Sequence, residues 1–448
     1  MPVVPRNDAP PHPLQPQLVQ IEKPIYGGSF LARVEGKAVF VPLTLPGERA
    51  RVRIVEDKRG YATAEVDEIV AAAAERIAPA CRYFGACGGC HYQHADYAAQ
   101  LAFKLAILRE TLERGGVRAP AEISVLAAEP WAYRNRIRLA FDAEGRAGYR
   151  GLRSHVVIPI AECPIAAPVL PRAAQAAAEF FRKFGPSSRP AELSLFSNAQ
   201  EDSLLASVFT SGTPQVPLRD HFDALLQEVP LLSGVELVEQ VEVRRGRPPR
   251  TIAQAGDVSL NYHAAGFDYR VDHGAFFQVN RWLVDELVDC VTGGHHGELA
   301  WDLFAGVGLF ARRLAGSFDR VVAVESAPAA MAALAQNLAG TSATAVKAST
   351  LEFLRSTRKG ERADLIEPDL IVPDLIVVDP PRTGLGADVT ALLGQIAAPA
   401  MVYVSCDPAT LARDLHSLIG AGYAIEHITL TDLFPQTLHL ETVVRLRR

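Results

Sequence analysis

Several features that would assign this chain to a special class of protein are scarce or absent. The 448 residues contain no apolar run near the ~20 residues that a membrane-spanning helix needs. The N-terminus also lacks the charged and then apolar segments of a signal peptide. The sequence therefore predicts a cytoplasmic protein with no membrane partner. With 49% hydrophobic and 21% charged residues, the composition excludes a disordered, collagen-like or coiled-coil chain.

Charge of one sign is also lacking, because 45 Lys and Arg stand against 51 Asp and Glu. The resulting net charge of −6 does not by itself indicate a nucleic-acid-binding protein. Basic residues are clustered locally, however. Residues 131–155 contain six arginines against two acids, residues 244–250 add four arginines, and the chain ends with Arg445, Arg447 and Arg448. Such clusters are either solvated faces or contacts for RNA.

Cysteine is rare, and its distribution is informative. Six cysteines in 448 residues are too few for a disulfide framework. Cys81, Cys87 and Cys90 lie within ten residues, and Cys163 is a remote fourth. Three closely spaced thiolates plus a fourth are typical of an iron-sulfur cluster that ties two segments together. Zinc is the alternative, since four-cysteine sites also suit it and His91 or His94 could join.

The chain divides into regions with different patterns. Residues 1–16 are rich in proline and predict a disordered tail. Residues 17–71 alternate in short runs broken by glycines, which predicts a small antiparallel barrel. The segment after the cysteines predicts a helix ending at Gly115, and a mixed, mainly β stretch follows to about residue 270.

From about residue 271 onward, apolar strands alternate with helices. This rhythm predicts an α/β fold with a parallel sheet covered on both faces. Ligands bind such sheets at the carboxyl ends of the strands. That rule selects four loops as the candidate site: Asp302 to Gly308, Glu325, Asp379 to Arg382, and Ser405 to Pro408.

A glycine turn follows the first of these strands. Gly306 and Gly308 open a helix, and Glu325 ends the next strand 19 residues after Gly306. Glycines there let a ligand approach the backbone, and the acid receives ribose hydroxyls. A nicotinamide dinucleotide fits this spacing. The acidic Asp302 before the turn, which suits a cationic methionine group, and the Asp379-Pro380-Pro381-Arg382 loop favour S-adenosylmethionine.

Two further residues predict the chemistry. Cys406 stands at a strand end beside the expected ligand cleft. A thiolate that adds to carbon 6 of uracil turns the ring into an enolate, whose carbon 5 attacks an activated methyl group. The adduct must then lose its carbon 5 proton to a base. Glu441 is the candidate base, because a carboxylate in an otherwise apolar strand is costly unless it is paired or functional.

Over residues 17–448 the sequence resembles the bacterial RNA uracil-5-methyltransferases, specifically the ribosomal-RNA branch with an N-terminal TRAM domain and an iron-sulfur cluster. The motifs occur in the family's order: PIYGGSFLARVEGKAVFVP, CRYFGACGGCHYQH, YRNRIRL, FFQVN, DLFAGVG, DPPRTGL, VSCDP and FPQTLHLETV. The resemblance implies a Rossmann-like methyltransferase domain at 271–448, a TRAM barrel at 17–71, and a central domain at 72–270 whose helical segment, about 95–116, packs on the catalytic domain.

The resemblance also implies residue roles. Cys406 would be the nucleophile and Glu441 the base. Cys81, Cys87, Cys90 and Cys163 would ligate a [4Fe-4S] cluster. Contacts to S-adenosylmethionine would come from Gln278, Phe304, Glu325 and Asp379. Two departures bear on cofactor affinity: Leu309 where a polar residue is frequent, and Ser349-Thr350 where an acid or amide is expected near the adenine.

These observations predict a monomeric enzyme that makes 5-methyluridine in structured RNA, most simply 23S rRNA. The barrel, the arginines of 134–153 and Arg382 would contact the RNA, whose target base must leave its stack. Three alternatives remain at this point: a transfer-RNA substrate, an RNA-binding or folding factor without catalysis, and a nicotinamide-dependent oxidoreductase with an electron-transferring cluster.

Overall fold

The computed structural model describes residues 16–185, 189–210, 218–239, 250–358 and 372–448. Apart from Pro16, the predicted disordered tail lies outside these residues. So do Arg244, Arg245 and Arg247 of the second arginine cluster. Within the described part of the chain, no helix has the length and apolarity required to cross a bilayer.

The N-terminal strands form a closed five-stranded barrel in the order β1-β2-β3-β5-β4. Alternation produces it: along β4 the arginines at 49, 51 and 53 face outward while Ala50 and Val52 are fully buried. The β1–β2 turn contains Gly27 and Gly28, both with positive φ. The strands are β1 Gln17–Ile25, β2 Ser29–Val34, β3 Lys37–Pro42, β4 Arg49–Asp57 and β5 Tyr61–Ala71.

The segment after the barrel carries three cysteines and leads into helix α1, Tyr97–Arg114. The side chain of Asp96 caps α1 by accepting a hydrogen bond from the Ala99 amide. Ile107, Leu108 and Leu112 of α1 join the core beneath the C-terminal sheet. Their partners include Leu411, Ala412 and Leu415 of α9, Pro408–Gly420. The second half of α1 therefore packs on the C-terminal sheet, whereas Ala99 and Phe103 in its first half pack with Tyr92 and the barrel core.

A seven-stranded sheet follows, in the order β13-β12-β11-β10-β7-β8-β9. One face is covered by α2, Val169–Arg182, and α3, Phe222–Glu228. The opposite face carries alternate residues of the same strands, including Arg136 and Phe196, and borders a cavity. The strands are β7 Arg136–Phe141, β8 Ala147–Arg150, β9 Val157–Pro159, β10 Glu192–Ser197, β11 Leu204–Thr210, β12 Leu232–Glu239 and β13 Arg250–Gly256.

The C-terminal sheet has eight strands in the order β18-β17-β16-β19-β20-β22-β21-β6. Successive residues of β16 alternate between its two faces, with Ala300 in one core and Trp301 in the other. The strands are β6 Ser124–Leu126, β16 Gly297–Leu303, β17 Phe318–Glu325, β18 Ala343–Lys347, β19 Leu375–Val378, β20 Ala400–Ser405, β21 Ala424–Thr431 and β22 Glu441–Arg447.

Helices cover both faces of this sheet, as the sequence predicts, and the α/β fold with an N-terminal barrel is confirmed. The remaining helices are α4 Val284–Thr292, α5 Leu309–Leu314, α6 Pro328–Asn337, α7 Thr350–Arg358 and α8 Gly386–Ile396. The five strands β16 to β20 are parallel to one another. Strand β22 instead pairs antiparallel with both β20 and β21. The sheet is therefore mixed.

Two elements that begin before the predicted C-terminal domain pack with its sheet: β6 joins the sheet, and a hairpin forms a separate two-stranded sheet on the same core. Strand β6 pairs in parallel with β21. The hairpin of β14, Ser259–Ala264, and β15, Phe267–Asp272, packs on the same core as α6, where Asn337 bonds both backbone groups of Arg270. Strands β6 and β14 precede residue 271, and β15 crosses it. The division at 72–270 and 271–448 remains a prediction about folding units.

Candidate active site

The carboxyl ends of β16, β17, β19 and β20 bring the four predicted loops to one edge of the C-terminal sheet. The amide of Gly306 donates to Glu325 Oε2 at 2.9 Å, which joins the first two loops. Gly308 has φ of 91°, and a Cβ there would lie 2.9 Å from Leu334 Cδ1. Position 308 therefore requires glycine, both because of the positive φ and because a side chain would collide with Leu334.

A small cavity opens at this edge. Its lining includes Phe276, Gln278, Phe304, Gly306 and Asp379, so three of the predicted cofactor contacts come together. Phe304 has a positive φ of 69°, a conformation that is unusual for a bulky residue and turns the chain into the glycine loop. Glu325 adjoins the cavity through its bond to Gly306. The cavity combines aromatic walls with carboxylates.

Asp302 lies beneath this loop rather than in the cavity lining. It is fully buried, and its Oδ2 accepts a hydrogen bond from the Ala311 amide at 2.8 Å. Burial, with Asp379 and Glu325 nearby, raises the pKa of Asp302 to about 7. Its geometry is that of a loop support, which differs from the direct contact to a cationic ligand that the sequence predicts.

Leu309 and Ser349 stand at the two positions that depart from the family pattern. Leu309 is buried and lines the cavity, and its backbone oxygen accepts a hydrogen bond from the Tyr269 hydroxyl. Ser349 Oγ donates to Glu352 Oε2 at the start of α7. Both residues have local structural roles.

Cys406 and Glu441 are brought together by strand pairing. Ser405 on β20 is opposite Thr442 on β22, so the residues that follow and precede these two are neighbours at the sheet edge. Glu441 is buried, and the half-buried Cys406 feels its charge. Burial, with Glu441 and Asp379, raises the pKa of the Cys406 thiol to about 12, whereas Arg382 lowers it.

The pKa of Glu441 is also raised well above its ordinary value. Burial is the main cause, the charge of Asp379 adds to it, and Arg382 opposes it. The site thus contains a thiol and two carboxyls, which repel one another when ionised, with the exposed Arg382 guanidinium at the rim. Such perturbed groups in one cleft are characteristic of catalytic sites.

The barrel reaches this site through a contact that the sequence analysis missed. The Tyr26 hydroxyl, in the β1–β2 turn, donates to Asp407 Oδ2 at 2.9 Å. Asp407 caps α9, since its Oδ1 accepts from the Ala409 and Thr410 amides. It directly follows Cys406. No local pattern in the sequence marks Tyr26, because the contact depends on how the barrel docks.

A buried ion pair fixes the segment that leads to Glu441. Lys104 of α1 donates to Asp432 Oδ1 at 2.6 Å, and both side chains are fully buried. Asp432 Oδ2 accepts from the Tyr97 hydroxyl, and Lys104 also donates to the Phe434 carbonyl. Helix α1 therefore holds the loop before β22 in place.

The four predicted cluster cysteines line one cavity, with Tyr149 and Gln93 beside them. Burial, and to a smaller extent the other thiolates, raises the pKa of Cys90 to about 12. The backbone amide of Cys81 donates a hydrogen bond to Gln93 Oε1. In the described residues, no three His, Cys, Asp or Glu side chains form a ready metal site. The donor set nevertheless suits a thiolate-bound group.

The arginines of the central sheet border two adjoining cavities. One lies where the β1–β2 turn, His91 and the arginines at 138, 150 and 153 meet. Glu192 pairs with both Arg138 and Arg150, whereas Arg136 lies over the Phe196 ring at 4.3 Å. The C-terminal arginines instead bond locally: Arg445 to the Cys290 carbonyl and Arg447 to Glu426.

Comparisons with known proteins identify the family. Residues 253–448 match the tRNA (Uracil-5-)-methyltransferase family model, and residues 15–66 match the TRAM domain. A protein of Chromohalobacter salexigens named 23S rRNA (uracil(1939)-C(5))-methyltransferase RlmD is 33% identical over 96% of this chain and 89% of its own length. The chain belongs to the RNA uracil-C5-methyltransferase family. It is therefore an RNA methyltransferase, as the sequence predicts.

Two further likenesses accompany this result. An uncharacterized RNA methyltransferase of Streptomyces avermitilis is 35% identical over 96% of this chain and 97% of its own. The crystal structure of Pyrococcus abyssi tRNA (uracil-54, C5)-methyltransferase in complex with S-adenosyl-L-homocysteine has a TM-score of 0.74 and 24% identity, covering 96% of this chain and all of that chain. The latter shows a shared fold. Family membership removes the oxidoreductase alternative.

Proposed function

We propose that this methyltransferase transfers a methyl group from S-adenosylmethionine to carbon 5 of a uridine in 23S rRNA, with Cys406 as nucleophile and Glu441 as base. The observation that carries the proposal is the pairing of β20 with β22, which puts these two side chains at one point of the cleft. The name of the Chromohalobacter salexigens relative supports the 23S rRNA substrate. Transfer RNA is the second candidate, on the names of the matching family model and of the Pyrococcus abyssi structure.

The residues divide the reaction between them. The Cys406 thiol gives its proton to solvent and its Sγ adds to carbon 6, so that electron density reaches carbon 5. S-adenosylmethionine supplies the methyl group that carbon 5 takes up. Glu441 then accepts the carbon 5 proton, and the bond between Sγ and carbon 6 breaks as the aromatic ring is restored. Arg382 lowers the pKa of both groups and so favours their reactive, ionised forms.

The cofactor contacts follow from the cavity. Gln278, Phe304 and Asp379 line it, and the backbone at Gly306 and Gly308 leaves room for a ligand. Glu325 ends β17, and its carboxylate would receive the ribose hydroxyls of the cofactor. Its Oε1 and Oε2 already hold the amides of Ser326 and Gly306. Asp302 supports this loop from below.

We propose further that Cys81, Cys87, Cys90 and Cys163 hold a [4Fe-4S] cluster. The convergence of four thiol side chains on one cavity supports a soft metal group, because such groups prefer sulfur ligands. The cluster would tie the segment after the barrel to the central sheet. Anaerobically purified protein should contain iron and sulfide and lose colour on reduction, whereas zinc in a colourless protein would refute this part of the proposal.

We also propose that the enzyme is a monomer and that it acts in the cytoplasm, where its proposed ribosomal RNA substrate is found. Size-exclusion chromatography coupled to light scattering tests the first point. A mass of twice 48.4 kDa would contradict it.

One experiment tests the reaction itself. RNA containing 5-fluorouridine, incubated with the protein and S-adenosylmethionine, should form an adduct that survives denaturation, because fluorine cannot leave as a proton does. Cys406→Ala should abolish the adduct. Cys290→Ala, a half-buried cysteine of α4, is the matched control and should leave it intact. Sequencing the trapped RNA identifies the substrate. RNA binding without any adduct would refute the proposed nucleophile and favour a binding factor.

A further inference from the structure

The open face of the central sheet borders a cavity of about 580 Å³ that the proposed reaction leaves unused. We call it the sheet-face cavity, and its defining residues are Arg136, Phe196, Ser207, Glu236, Thr251 and His273. This volume lies in the range of small-ligand pockets, about 300 to 1,000 Å³. It is large enough for a nucleotide.

Glu236 and His273 present two hydrogen-bond acceptors to this cavity. The Glu236 side chain is 5% exposed and accepts hydrogen bonds from the hydroxyls of Ser207 and Thr251, at 2.7 and 2.9 Å. No arginine or lysine forms an ion pair with it in the described part of the chain. A buried carboxylate held only by neutral hydroxyls is costly unless a further donor reaches it.

His273 is the second acceptor. Its Nε2 lies 3.2 Å from the Asp257 carbonyl, which can only accept, so Nε2 carries the proton. Burial lowers the pKa of His273, so the ring is neutral and Nδ1 has a lone pair. That Nδ1 is buried without a hydrogen-bond partner and lies 3.9 Å from Glu236 Oε1. Two acceptors at this distance leave a place for a group with two N–H donors.

The walls of the cavity suit a flat ring in a charged strand. Phe196 forms part of the wall, and the Arg136 guanidinium lies 4.3 Å from its ring centroid. The Nη1 of Arg136 donates to the Ala275 carbonyl, while its Nε has no partner. Aromatic rings and arginine planes are the surfaces on which proteins stack unpaired bases and hold phosphates.

The cavity also lies beside the proposed reaction site. His273 and Gly274 line it, and Phe276 to Gln278, two residues further along the chain, line the cofactor cavity. One short segment of the chain, residues 273–278, therefore borders both cavities.

We propose that the sheet-face cavity binds a second unstacked base of the substrate RNA, one that bears an exocyclic amino group. The amino group of adenine, cytosine or guanine has two N–H donors and bridges Glu236 and His273. Uracil has a carbonyl at the corresponding position and repels both acceptors. This inference rests on the proposed RNA substrate, and it adds a specificity site to it.

The test measures equilibrium binding of the full-length enzyme to decauridine RNA in which one position at a time is adenosine, cytidine, guanosine or inosine. At one position, an amino-bearing base should bind about tenfold more tightly than its analogue without the amino group, as expected for one hydrogen bond to a charged group. Inosine is the comparison base without the amino group for adenosine and guanosine, and uridine is the comparison base for cytidine.

Glu236→Gln should abolish this preference, because its amide donates towards the amino group. Glu192→Gln, on the same sheet and paired with Arg138 and Arg150, is the matched control and should retain it. Equal binding of all RNAs by the wild-type protein would overturn the inference, whether or not Glu236→Gln folds. An unchanged preference in a folded Glu236→Gln variant would also overturn it. No binding to any of these RNAs would also overturn this inference. The proposed function fails separately, only if the 5-fluorouridine adduct is absent.

Discussion

In the proposed mechanism, Glu441 is the base that resolves the covalent intermediate. Without a base, the adduct between Cys406 and carbon 6 cannot lose the carbon 5 proton. Glu441→Gln should therefore accumulate the adduct on ordinary, fluorine-free RNA and lower turnover about 100-fold or more. Denaturing gel electrophoresis with labelled RNA measures both. Cys406→Ala with Glu441→Gln should show no adduct, and rapid turnover by Glu441→Gln would place the base elsewhere.

The same substitution has a pH signature. The negative charge of Glu441 helps raise the pKa of the Cys406 thiol, so its removal favours the thiolate. Adduct formation by Glu441→Gln should therefore begin at lower pH than in the wild-type protein. Rapid-quench measurements across the pH range check the direction of the shift. An upward shift would contradict this account of the site's electrostatics.

Tyr26 donates a hydrogen bond to Asp407, the residue after the proposed nucleophile, and we expect it to position that segment. Tyr26→Phe removes that bond and leaves the cap of α9 in place, so kcat should fall about threefold to tenfold with KM for RNA unchanged. Steady-state kinetics give the two constants separately. A higher KM with unchanged kcat would show instead that the tyrosine binds RNA.

Asp302 makes folding stability depend on pH. Its folded-state pKa of about 7 exceeds the ordinary 3.8, so between these values the folded protein binds more protons than the unfolded chain. The free energy of unfolding should fall as pH rises from about 4 towards 7, and Asp302→Asn should flatten that slope. Urea unfolding at several pH values measures this. A slope unchanged in the variant would assign the effect to other groups.

The sequence predicts the site residues that follow strand ends. It does not predict the residues that meet where domains contact one another. Asp379 and Cys406 follow apolar strands, and the ends of parallel strands meet at one edge whatever the rest of the chain does. Tyr26 is 381 residues from its partner, and the sheet-face pair joins β12 to a loop after β15. Those contacts depend on how separate parts of the fold pack together, and local sequence patterns do not predict that packing.

At the scale of elements, α1 connects the cysteine segment to the reaction site. Its Lys104 is the buried partner of Asp432, in the loop that leads to β22. Lys104→Met leaves that carboxylate buried and unpaired, which should lower the free energy of unfolding by about 3 to 5 kcal/mol. Lys104→Met with Asp432→Asn should recover much of it. A loss under about 1 kcal/mol in the single variant would show that water reaches the pair.

The sequence predicts elements better where they repeat than where the pattern ends. Strands β16 to β20 alternate with helices, and this pattern alone predicts their parallel order. The three-residue β6 is too short to be recognised, and it joins the sheet only because β21 has a free edge. The final antiparallel pair β21–β22 departs from the repeat. That departure is what places Glu441 beside Cys406.

At the scale of the whole molecule, the net charge of −6 opposes the approach of RNA, so local surfaces must provide the attraction. Arg153 lies where the barrel meets the central sheet, and it borders the cleft there together with Ser29.

If Arg153 neutralises one phosphate, Arg153→Gln should weaken binding and reduce the slope of log K against log salt by about 0.7. Arg51→Gln is the control, because Arg51 pairs with Glu68 on the barrel's outer surface. Filter binding at several salt concentrations gives both slopes. A slope that is unchanged in Arg153→Gln would place the RNA path away from this junction, and equal losses in both variants would indicate a diffuse attraction by the barrel as a whole.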